Sequence, residues 1–331
     1  MVEPIERSPK SGDTPIPCVP YARAAARLRF ISDTLDMQKI GFLGLGKMGA
    51  VMAPRFIDAG FPLTVWNRSA EKAEAIGEAG ATVAATPAAV AESADVVISI
   101  LRDDAAAEQA FLGQSGLLSV DVDGKQFIEM STLRPETARA LAARCAEKGA
   151  GFIDAPVSGT VAPAKDGKLM ALVGGSEEDL ERARPALEVL TRRIVHAGPV
   201  GQGAMLKLVL NLPLAVYWQS LAEAVALGAA GGLELATMLD AMADSGGATR
   251  VLPLKIPLIL EGSDYVAFDI ATMEKDATSI VETGEEFGVP MPTISAALAT
   301  YAAANAAGMG ADDAVSIVRH LTDRLEAEKK R

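Results

Sequence analysis

The sequence predicts an α/β protein with two domains: a parallel sheet covered by helices on both faces, followed by an all-helical domain. Three observations predict this fold class. The chain has 331 residues, 50% of them hydrophobic, which exceeds the comfortable size of one domain. From Lys39 onward, short apolar runs alternate with alanine-rich helical stretches. Beyond about Gly203 only helical segments follow, so we place the domain border between residues 200 and 201.

The first domain, residues 37–200, contains the alternating elements. The predicted strands are the runs at 39–44, 63–66, 81–84, 95–101, 125–130, 151–155, 169–175 and 192–198. Predicted helices lie near 48–59 and 70–79, and two more begin at Pro135 and at residue 177. Apolar runs such as DVVISIL at 95–101 are continuous, as is typical of strands buried on both faces of a parallel sheet. Residues 201–331 form the predicted helical domain.

Residues 1–36 are predicted to form a flexible leader, because they contain five prolines and no continuous apolar run. A mitochondrial presequence is the alternative, since the piece from Arg23 to Arg29 is basic, but Glu3 and Glu6 oppose it. Met37 directly precedes the first strand, so an extension upstream of a start site fits equally well.

Charge and composition argue against several function classes. The 31 Lys and Arg residues against 43 Asp and Glu give a net charge of −12, which disfavours a nucleic-acid-binding surface. His196 and His320 are the only histidines, and Cys18 and Cys145 the only cysteines, so we expect no metal, no disulfide framework and a reducing, cytoplasmic location. The uncharged run 208–222 is too short for a membrane span, which needs roughly 20 residues.

A glycine-rich loop, GLGKMG, follows the first strand and precedes a helix. In such a loop the first glycine permits a tight turn, the second leaves room for pyrophosphate and the third lets the helix approach the strand. Because strand, loop, helix and second strand occur in this order, the motif predicts a Rossmann-type dinucleotide site, with a tight turn as the alternative. The predicted cofactor-binding residues of the loop are Gly44, Leu45, Gly46, Lys47, Met48 and Gly49.

The second predicted strand ends in Trp66, Asn67, Arg68 and Ser69. An NAD enzyme usually places an acid here for the ribose 2′-hydroxyl, about 20 residues beyond the glycine loop, and these four positions hold none. The Arg68 guanidinium can pair with a 2′-phosphate, with Asn67 and Ser69 offering hydrogen bonds, so NADP is favoured and NAD stays open. The alternative is that Arg68 is an ordinary solvated residue.

A lysine lies within an apolar helical segment at 198–212. Lys207 and Asn211 are four residues apart and therefore share one helix face. Burial there would lower the lysine pKa from about 10.4 towards the range in which it donates a proton near neutrality. The alternative is a lysine whose side chain reaches solvent at the start of a helix, and spacing alone does not decide between the two.

Five motifs in this order resemble the β-hydroxyacid dehydrogenases: GLGKMGAVMA, MSTLRPET, DAPVSGTVAPAKDGKLMALVGG, GQGAMLKLVLN and MEKDA. The resemblance covers residues 38–320 and is greatest to glyoxylate and succinic-semialdehyde reductases and 3-hydroxyisobutyrate dehydrogenases. It implies hydride transfer between NADP or NAD and a small, anionic aldehyde, keto acid or hydroxy acid. It also implies a homodimer or homotetramer, which the apolar circumference of the helix at 203–230 favours independently, with an intrachain core helix as the alternative.

The resemblance also implies residue roles. Lys207 would be the catalytic general acid or base. Asn211, Ser158, Gly159 and Thr160 would bind the substrate. Leu101, Thr132 and Lys275 would contact the nicotinamide half of the cofactor. Two alternatives stay open, namely that Ser131 or Thr132 caps the helix entered at Pro135 and that Lys275 and Asp276 form a solvated pair.

Two positions depart from the family pattern. Thr160 stands where many relatives have a second glycine, and its branched side chain would narrow or polarise the pocket. Leu210 stands where relatives often have a second asparagine. Lys207 is retained, which separates the chain from the imine reductases of similar architecture. Imine reduction and a non-catalytic NADP-binding module are the competing functions.

Overall fold

The computed structural model describes residues 37–262 and 265–329, with side chains through residue 323. By its contacts the chain divides into residues 1–37 and 38–331, and the second unit is the one described below. The predicted leader, residues 1–36, lies outside the described residues.

A single sheet organises the first part of the second unit. Its strands are β1 Ile40–Leu43, β2 Leu63–Trp66, β3 Thr82–Val83, β4 Val96–Ser99, β5 Gln126–Glu129, β6 Gly151–Asp154, β7 Val157–Ser158, β8 Leu169–Gly174 and β9 Thr191–Gly198. Strands β1 to β6 are parallel in the order β3-β2-β1-β4-β5-β6. Strand β8 is antiparallel to β6 and β7 and parallel to β9. This topology confirms the predicted α/β fold class, while the short β7 was not predicted.

Helices connect these strands. They are α1 Gly49–Met52, α2 Pro54–Asp58, α3 Ala70–Glu78, α4 Pro87–Ser93, α5 Asp104–Leu112, α6 Pro135–Ala146, α7 Val161–Lys165 and α8 Glu177–Leu190. Three of them, α4, α5 and α7, were not predicted; α4 and α7 are too short to show a clear helical period. Local caps fix two of these: the Thr86 side chain accepts from Ala89 N ahead of α4, and Asp103 accepts from Ala106 N ahead of α5.

The sheet is buried on both faces, as the continuous apolar runs predicted. Ile40 and Phe42 of β1 point into one cluster, which includes Leu187 of α8. Leu43, one residue further, belongs to the opposite cluster with Phe127 of β5. Alternate residues of one strand thus fill two cores, so a helical layer is needed on each side of the sheet.

The second part is helical. Its helices are α9 Gln202–Ala230, α10 Leu235–Ala243, α11 Leu252–Glu261, α12 Ile270–Glu286, α13 Pro292–Ala304 and α14 Ile317–Lys329. Helix α9 packs against β8 near its N-terminus and against α12, α13 and α14 further along. The buried Tyr301 hydroxyl donates to Ala215 O at 2.8 Å, which fixes α13 on α9. Among the described residues beyond 201, β pairing is limited to one bridge between Asp269 and Asp313.

Helix α9 is the one described helix that is long and apolar enough to cross a bilayer, judged by length and composition alone. It is longer than the uncharged run 208–222 on which the sequence expectation was based. Several of its apolar side chains, including Ala215, Trp218 and Ala222, belong to the buried core of the helical part. The core helix of a globular protein can have the same length and composition as a membrane span.

Candidate active site

The predicted site residues gather at the carboxyl end of the parallel sheet. The chain leaves β1 towards β2 and β3 on one side, and returns to β4 on the other side of β1. Parallel sheets bind ligands at such a switch point, because the loops after the two neighbouring strands diverge and leave a crevice. The glycine loop follows β1, and the segment containing Leu101 follows β4.

The three glycines of the loop have different surroundings. Gly44 has φ 92°, and a Cβ there would lie 2.1 Å from Ile100 O. A Cβ on Gly49 would lie 1.8 Å from Gly44 O, so the helix could not approach the strand. A Cβ on Gly46 would meet nothing within 4 Å, which leaves its exposed face open. The loop therefore has a closely packed base and an open rim, as pyrophosphate binding requires.

The end of β2 braces this loop. Asn67 Oδ1 accepts from Leu45 N at 2.9 Å, and Asn67 Nδ2 donates to Ser69 O at 3.0 Å. Within the protein Asn67 thus uses Oδ1 and one N–H of Nδ2, and its second N–H is left for the expected contact with a 2′-phosphate, which stays a prediction. Arg68 and Ser69 are exposed beside it and stay candidates for that contact.

A buried carboxyl joins the loops that follow β4 and β5. Glu129, at the end of β5, is 1% exposed and accepts from the Ser99 hydroxyl and from Ser131 N. Leu101 N in turn donates to Ser131 Oγ at 2.6 Å. The Ser131 side chain thus fixes the neighbouring loop and is not the cap of α6. Burial raises the pKa of Glu129 to about 7, although the bonds from Ser131 and Ser99 oppose the shift.

Lys207 extends from the second turn of α9 towards the sheet. Its Nζ donates to Val157 O at 2.8 Å. Burial holds the pKa of Lys207 below its ordinary value; the nearby Asp276 carboxylate opposes this effect and the Lys275 ammonium adds to it. Lys207 is half-buried, and the lowered pKa agrees in direction with what the apolar segment suggested.

A carboxylate links Asn211 to the second lysine. Asp276 is 1% exposed, accepts from Asn211 Nδ2 at 2.7 Å, and lies 2.6 Å from Lys275 Nζ. Lys275 Nζ also donates to Thr132 O at 2.8 Å, across from the helical part to the sheet. The alternative of a solvated Lys275–Asp276 pair is wrong, because Asp276 is buried and bonded to Asn211.

The predicted substrate turn lies next to Lys207. Ser158 is half-buried on β7, beside Met170 of β8. Gly159 has φ 137°, which favours glycine, and a Cβ there would lie 2.7 Å from Leu169 Cδ2. Thr160 precedes α7, and its side chain makes no capping hydrogen bond. Lys207 donates to Val157 O, and Val157 directly precedes Ser158. This hydrogen bond therefore holds the lysine beside the turn.

The glycine loop also contacts the helical part. Lys47 Nζ lies 2.9 Å from Asp269 Oδ2. Asp269 is the N-cap residue of α12, where it accepts from Thr272 N at 2.8 Å. Since α12 carries Lys275, the glycine loop is in direct contact with the helix that holds this lysine.

The side chains around this crevice suit proton transfer next to a dinucleotide. They include two ammonium groups, Lys207 and Lys275, and one buried carboxylate, Asp276. Within the described ranges no group of three or more His, Cys, Asp or Glu residues is placed to hold a metal ion. The arrangement favours binding of an anion and delivery of a proton to it.

Comparison with known families decides the class. The NAD-binding domain of 6-phosphogluconate dehydrogenase matches residues 39–198. The NAD-binding domain of NADP-dependent 3-hydroxyisobutyrate dehydrogenase matches residues 201–321. This chain belongs to the β-hydroxyacid dehydrogenase family. The resemblance drawn from the five motifs is thereby confirmed.

Known members of the family are similar over nearly their whole length. Glyoxylate/succinic semialdehyde reductase 1 of Arabidopsis thaliana is 34% identical over 85% of this chain and 97% of its own. An NAD-dependent L-serine dehydrogenase of Pseudomonas aeruginosa is 36% identical over 88% of this chain and 100% of its own. The structure of Mycobacterium tuberculosis 3-hydroxyisobutyrate dehydrogenase with L-serine superposes with a TM-score of 0.77, at 30% identity over 86% of this chain and 99% of that one.

This β-hydroxyacid dehydrogenase is an NAD(P)-dependent oxidoreductase. The loop geometry fits such a dinucleotide, because the open rim at Gly46 leaves room for phosphate. The glycine loop, Arg68, Ser69, Leu101, Thr132 and Lys275 would hold it.

Sequence reasoning missed three carboxyl groups of this site, Asp276, Glu129 and Asp154. Glu129 and Asp154 each end an apolar strand, and a charged residue at that position of a buried strand is a usable signal. Asp276 adjoins Lys275 in MEKDA, but its bond to Asn211 joins residues 65 positions apart and leaves no trace in local spacing.

Replacing Glu129 with Gln is expected to change how stability depends on pH. Native Glu129 binds its proton up to about pH 7, whereas the ordinary value is 4.5, so its stabilising effect is complete below 4.5 and is lost as pH rises through 7. Relative to Glu129→Gln, the wild-type protein should lose up to about 3 kcal/mol of unfolding free energy between pH 4.5 and 8. Urea denaturation of both proteins across this range measures the difference.

Glu181→Gln is the matched control, because Glu181 is an exposed carboxylate paired with Arg184. Its difference from wild type should change little over the same pH range. A Glu129→Gln difference that stays constant with pH would show that Glu129 is ionised throughout.

Proposed function

We propose that this enzyme reduces a small aldehyde or keto acid with NADPH, and that Lys207 is the proton donor. The observation that carries the proposal is the buried Lys207 ammonium, bonded to Val157 O beside the substrate turn. The reductase and dehydrogenase names of the similar proteins support the substrate class. Acting in reverse on a hydroxy acid, the same lysine would serve as the base.

Different residues of the chain have different roles in the proposed reduction. When bound, the nicotinamide supplies the hydride. Lys207 donates one N–H to Val157 O, so its remaining protons can face a substrate oxygen. Its depressed pKa eases proton transfer to the developing alkoxide, and help of this kind is worth about 10²- to 10⁴-fold in rate. Asp276 holds the Asn211 amide in place, which leaves Asn211 Oδ1 to orient the substrate hydroxyl.

The turn of Ser158, Gly159 and Thr160 would bind the substrate carboxylate. Backbone N–H groups next to a left-handed glycine, together with the two hydroxyls, form a suitable anion cradle. Lys207 and Lys275 supply positive charge locally, so the net charge of −12 does not prevent anion binding, because salt screens distant charges beyond about 8 Å. Thr160 would favour a short substrate.

Removing the Lys207 ammonium tests the function directly. In Lys207→Ala the alkoxide loses its proton donor, so kcat should fall by about 10²- to 10⁴-fold. The dissociation constant for NADPH should stay within about twofold, since the phosphate loop is untouched. NADPH oxidation is followed with glyoxylate, succinic semialdehyde, methylmalonate semialdehyde and tartronate semialdehyde, and cofactor binding by fluorescence titration.

Lys148→Ala is the control, because Lys148 is exposed in the turn after α6, and it should retain full activity. Wild-type protein that binds NADPH and turns over none of the four compounds would be a non-catalytic binding module. Turnover of cyclic imines that survives Lys207→Ala would instead identify an imine reductase.

Preference for NADPH over NADH is proposed to come from Arg68. It is exposed at the end of β2, where a 2′-phosphate would lie, and the four residues 66–69 contain no acid. Arg68→Ala should raise the KM for NADPH about tenfold or more and leave the KM for NADH nearly unchanged. Steady-state kinetics with both cofactors measure this, with Arg144→Ala, an exposed arginine of α6 paired with Glu147, as the control. Equal increases in the KM for NADPH and for NADH would show that Arg68 does not contact the 2′-phosphate.

We also propose a cytoplasmic homodimer or homotetramer that needs neither nucleic acid nor membrane. Three apolar side chains of helix α9 are exposed to solvent: Val209 is 55% exposed, Leu210 40% and Leu227 77%. A second subunit would cover them. In sedimentation at micromolar concentration, Leu227→Asp should shift the mass towards the monomer. Leu112→Asp, at a leucine of α5 that is 47% exposed, should not. Wild-type sedimentation as a monomer would contradict the proposal.

A further inference from the structure

The N-cap residue of helix α9 is Gly201, which has no side chain to cap the helix. A residue of another element takes that role. Asp154, at the end of β6, accepts from Gly201 N through Oδ1 and from Ala204 N through Oδ2, both at 2.7 Å. Two N–H groups of the first turn are thus satisfied by one carboxylate 47 or more positions earlier in the chain. The positive end of the helix dipole favours a negative charge at this place.

The backbone at this end of the helix approaches the sheet so closely that no side chain fits between them. A Cβ on Gly203 would lie 2.2 Å from Leu172 O and 2.7 Å from Asp154 O. A Cβ on Gly174 would lie 2.5 Å from Asp154 Oδ1. The first turn of α9 therefore rests directly on the backbone of β6 and β8. A shift of this turn must move the rest of the helix with it, because helices behave as stiff elements.

Asp154 connects the helix that carries Lys207 with the segment that carries the substrate turn. Lys207 lies one turn beyond Ala204 on α9, about 4.5 Å further along the axis. Val157, whose carbonyl accepts from Lys207, lies three residues beyond Asp154 and leads directly into Ser158. One carboxylate thus fixes the start of the helix that carries the acid and the start of the segment that carries the substrate turn.

We propose that Asp154 is a positioning residue for the reaction: by holding the N-terminus of α9 to the end of β6, it sets the distance between Lys207 and the substrate turn. The inference rests on the proposed role of Lys207 as proton donor. The cofactor side does not depend on this contact, because the glycine loop and Arg68 follow β1 and β2. Asp154 therefore acts on the chemical step and not on dinucleotide binding.

The carboxylate form is needed for this role. Burial raises the pKa of Asp154 to about 6, and the N–H groups of Gly201 and Ala204 act in the opposite direction. At about pH 8 both oxygens are therefore acceptors. An asparagine presents one oxygen and one NH₂ group, so one helix N–H would face a donor and lose its partner. The volume stays the same, which limits the disturbance to this contact.

The test compares Asp154→Asn with the wild-type enzyme at about pH 8. We expect kcat to fall by about tenfold or more, because a displacement of about 1 Å can cost a hundredfold in rate. The dissociation constant for NADPH should stay within about twofold. Gly203→Ala reaches the same helix end by a different route and should show the same division between kcat and cofactor binding.

Ser176→Ala is the matched control, since Ser176 caps α8 by accepting from Asp179 N at 3.0 Å and touches no site residue. It should lower the melting temperature and leave kcat within about twofold. If Asp154→Asn or Gly203→Ala keeps full kcat, the proposal is wrong. If Asp154→Asn does not fold, or loses NADPH binding together with kcat, Asp154 is a folding residue and the proposal is also wrong.

The outcome separates this inference from the proposed function. Loss of activity in Lys207→Ala with full activity in Asp154→Asn removes only the positioning role. Full activity in Lys207→Ala removes the proton donor, and the positioning role with it.

Discussion

The structure depends on the burial of one ammonium group. Lys207 can stay buried because Val157 O accepts one of its protons and the Asp276 carboxylate lies near enough to stabilise the charge. Neither partner is adjacent to Lys207 in sequence. Desolvation wins over that attraction, so the lysine holds its proton less tightly than it would in water. This balance is the basis of the proposed role of Lys207 as proton donor.

That balance requires contact between the sheet and the helical part of the chain. The sheet provides Val157, Thr132 and the glycine loop, while the helical part provides Lys207 and Lys275. Direct contacts cross the crevice at both ends: Lys275 Nζ to Thr132 O at 2.8 Å, and Lys47 Nζ to Asp269 Oδ2 at 2.9 Å. Neither part contains a complete site. The order of the motifs along the chain reflects this division, with the glycine loop early and both lysines late.

Three buried carboxyl groups organise the crevice without belonging to the glycine motif. Glu129 joins the loops after β4 and β5, Asp276 fixes the Asn211 amide, and Asp154 caps α9. Each accepts two or more close polar contacts, as a buried carboxyl group must to offset its desolvation. Burial raises the pKa of Glu129 to about 7 and of Asp154 to about 6, so both titrate closer to neutrality than carboxyl groups in water.

The sequence by itself determined the alternation of apolar strands with helices, the glycine loop and the lysine in an apolar helix. These features depend on local spacing, and a period of two or 3.6 residues or a glycine at a turn can be read without knowing any partner. Tertiary structure alone decided that Asn67 braces the loop, that Asp276 is buried and that Asp154 caps a helix 47 positions away. Those roles arise from contacts between distant segments, because only the folded chain brings their polar groups together away from water.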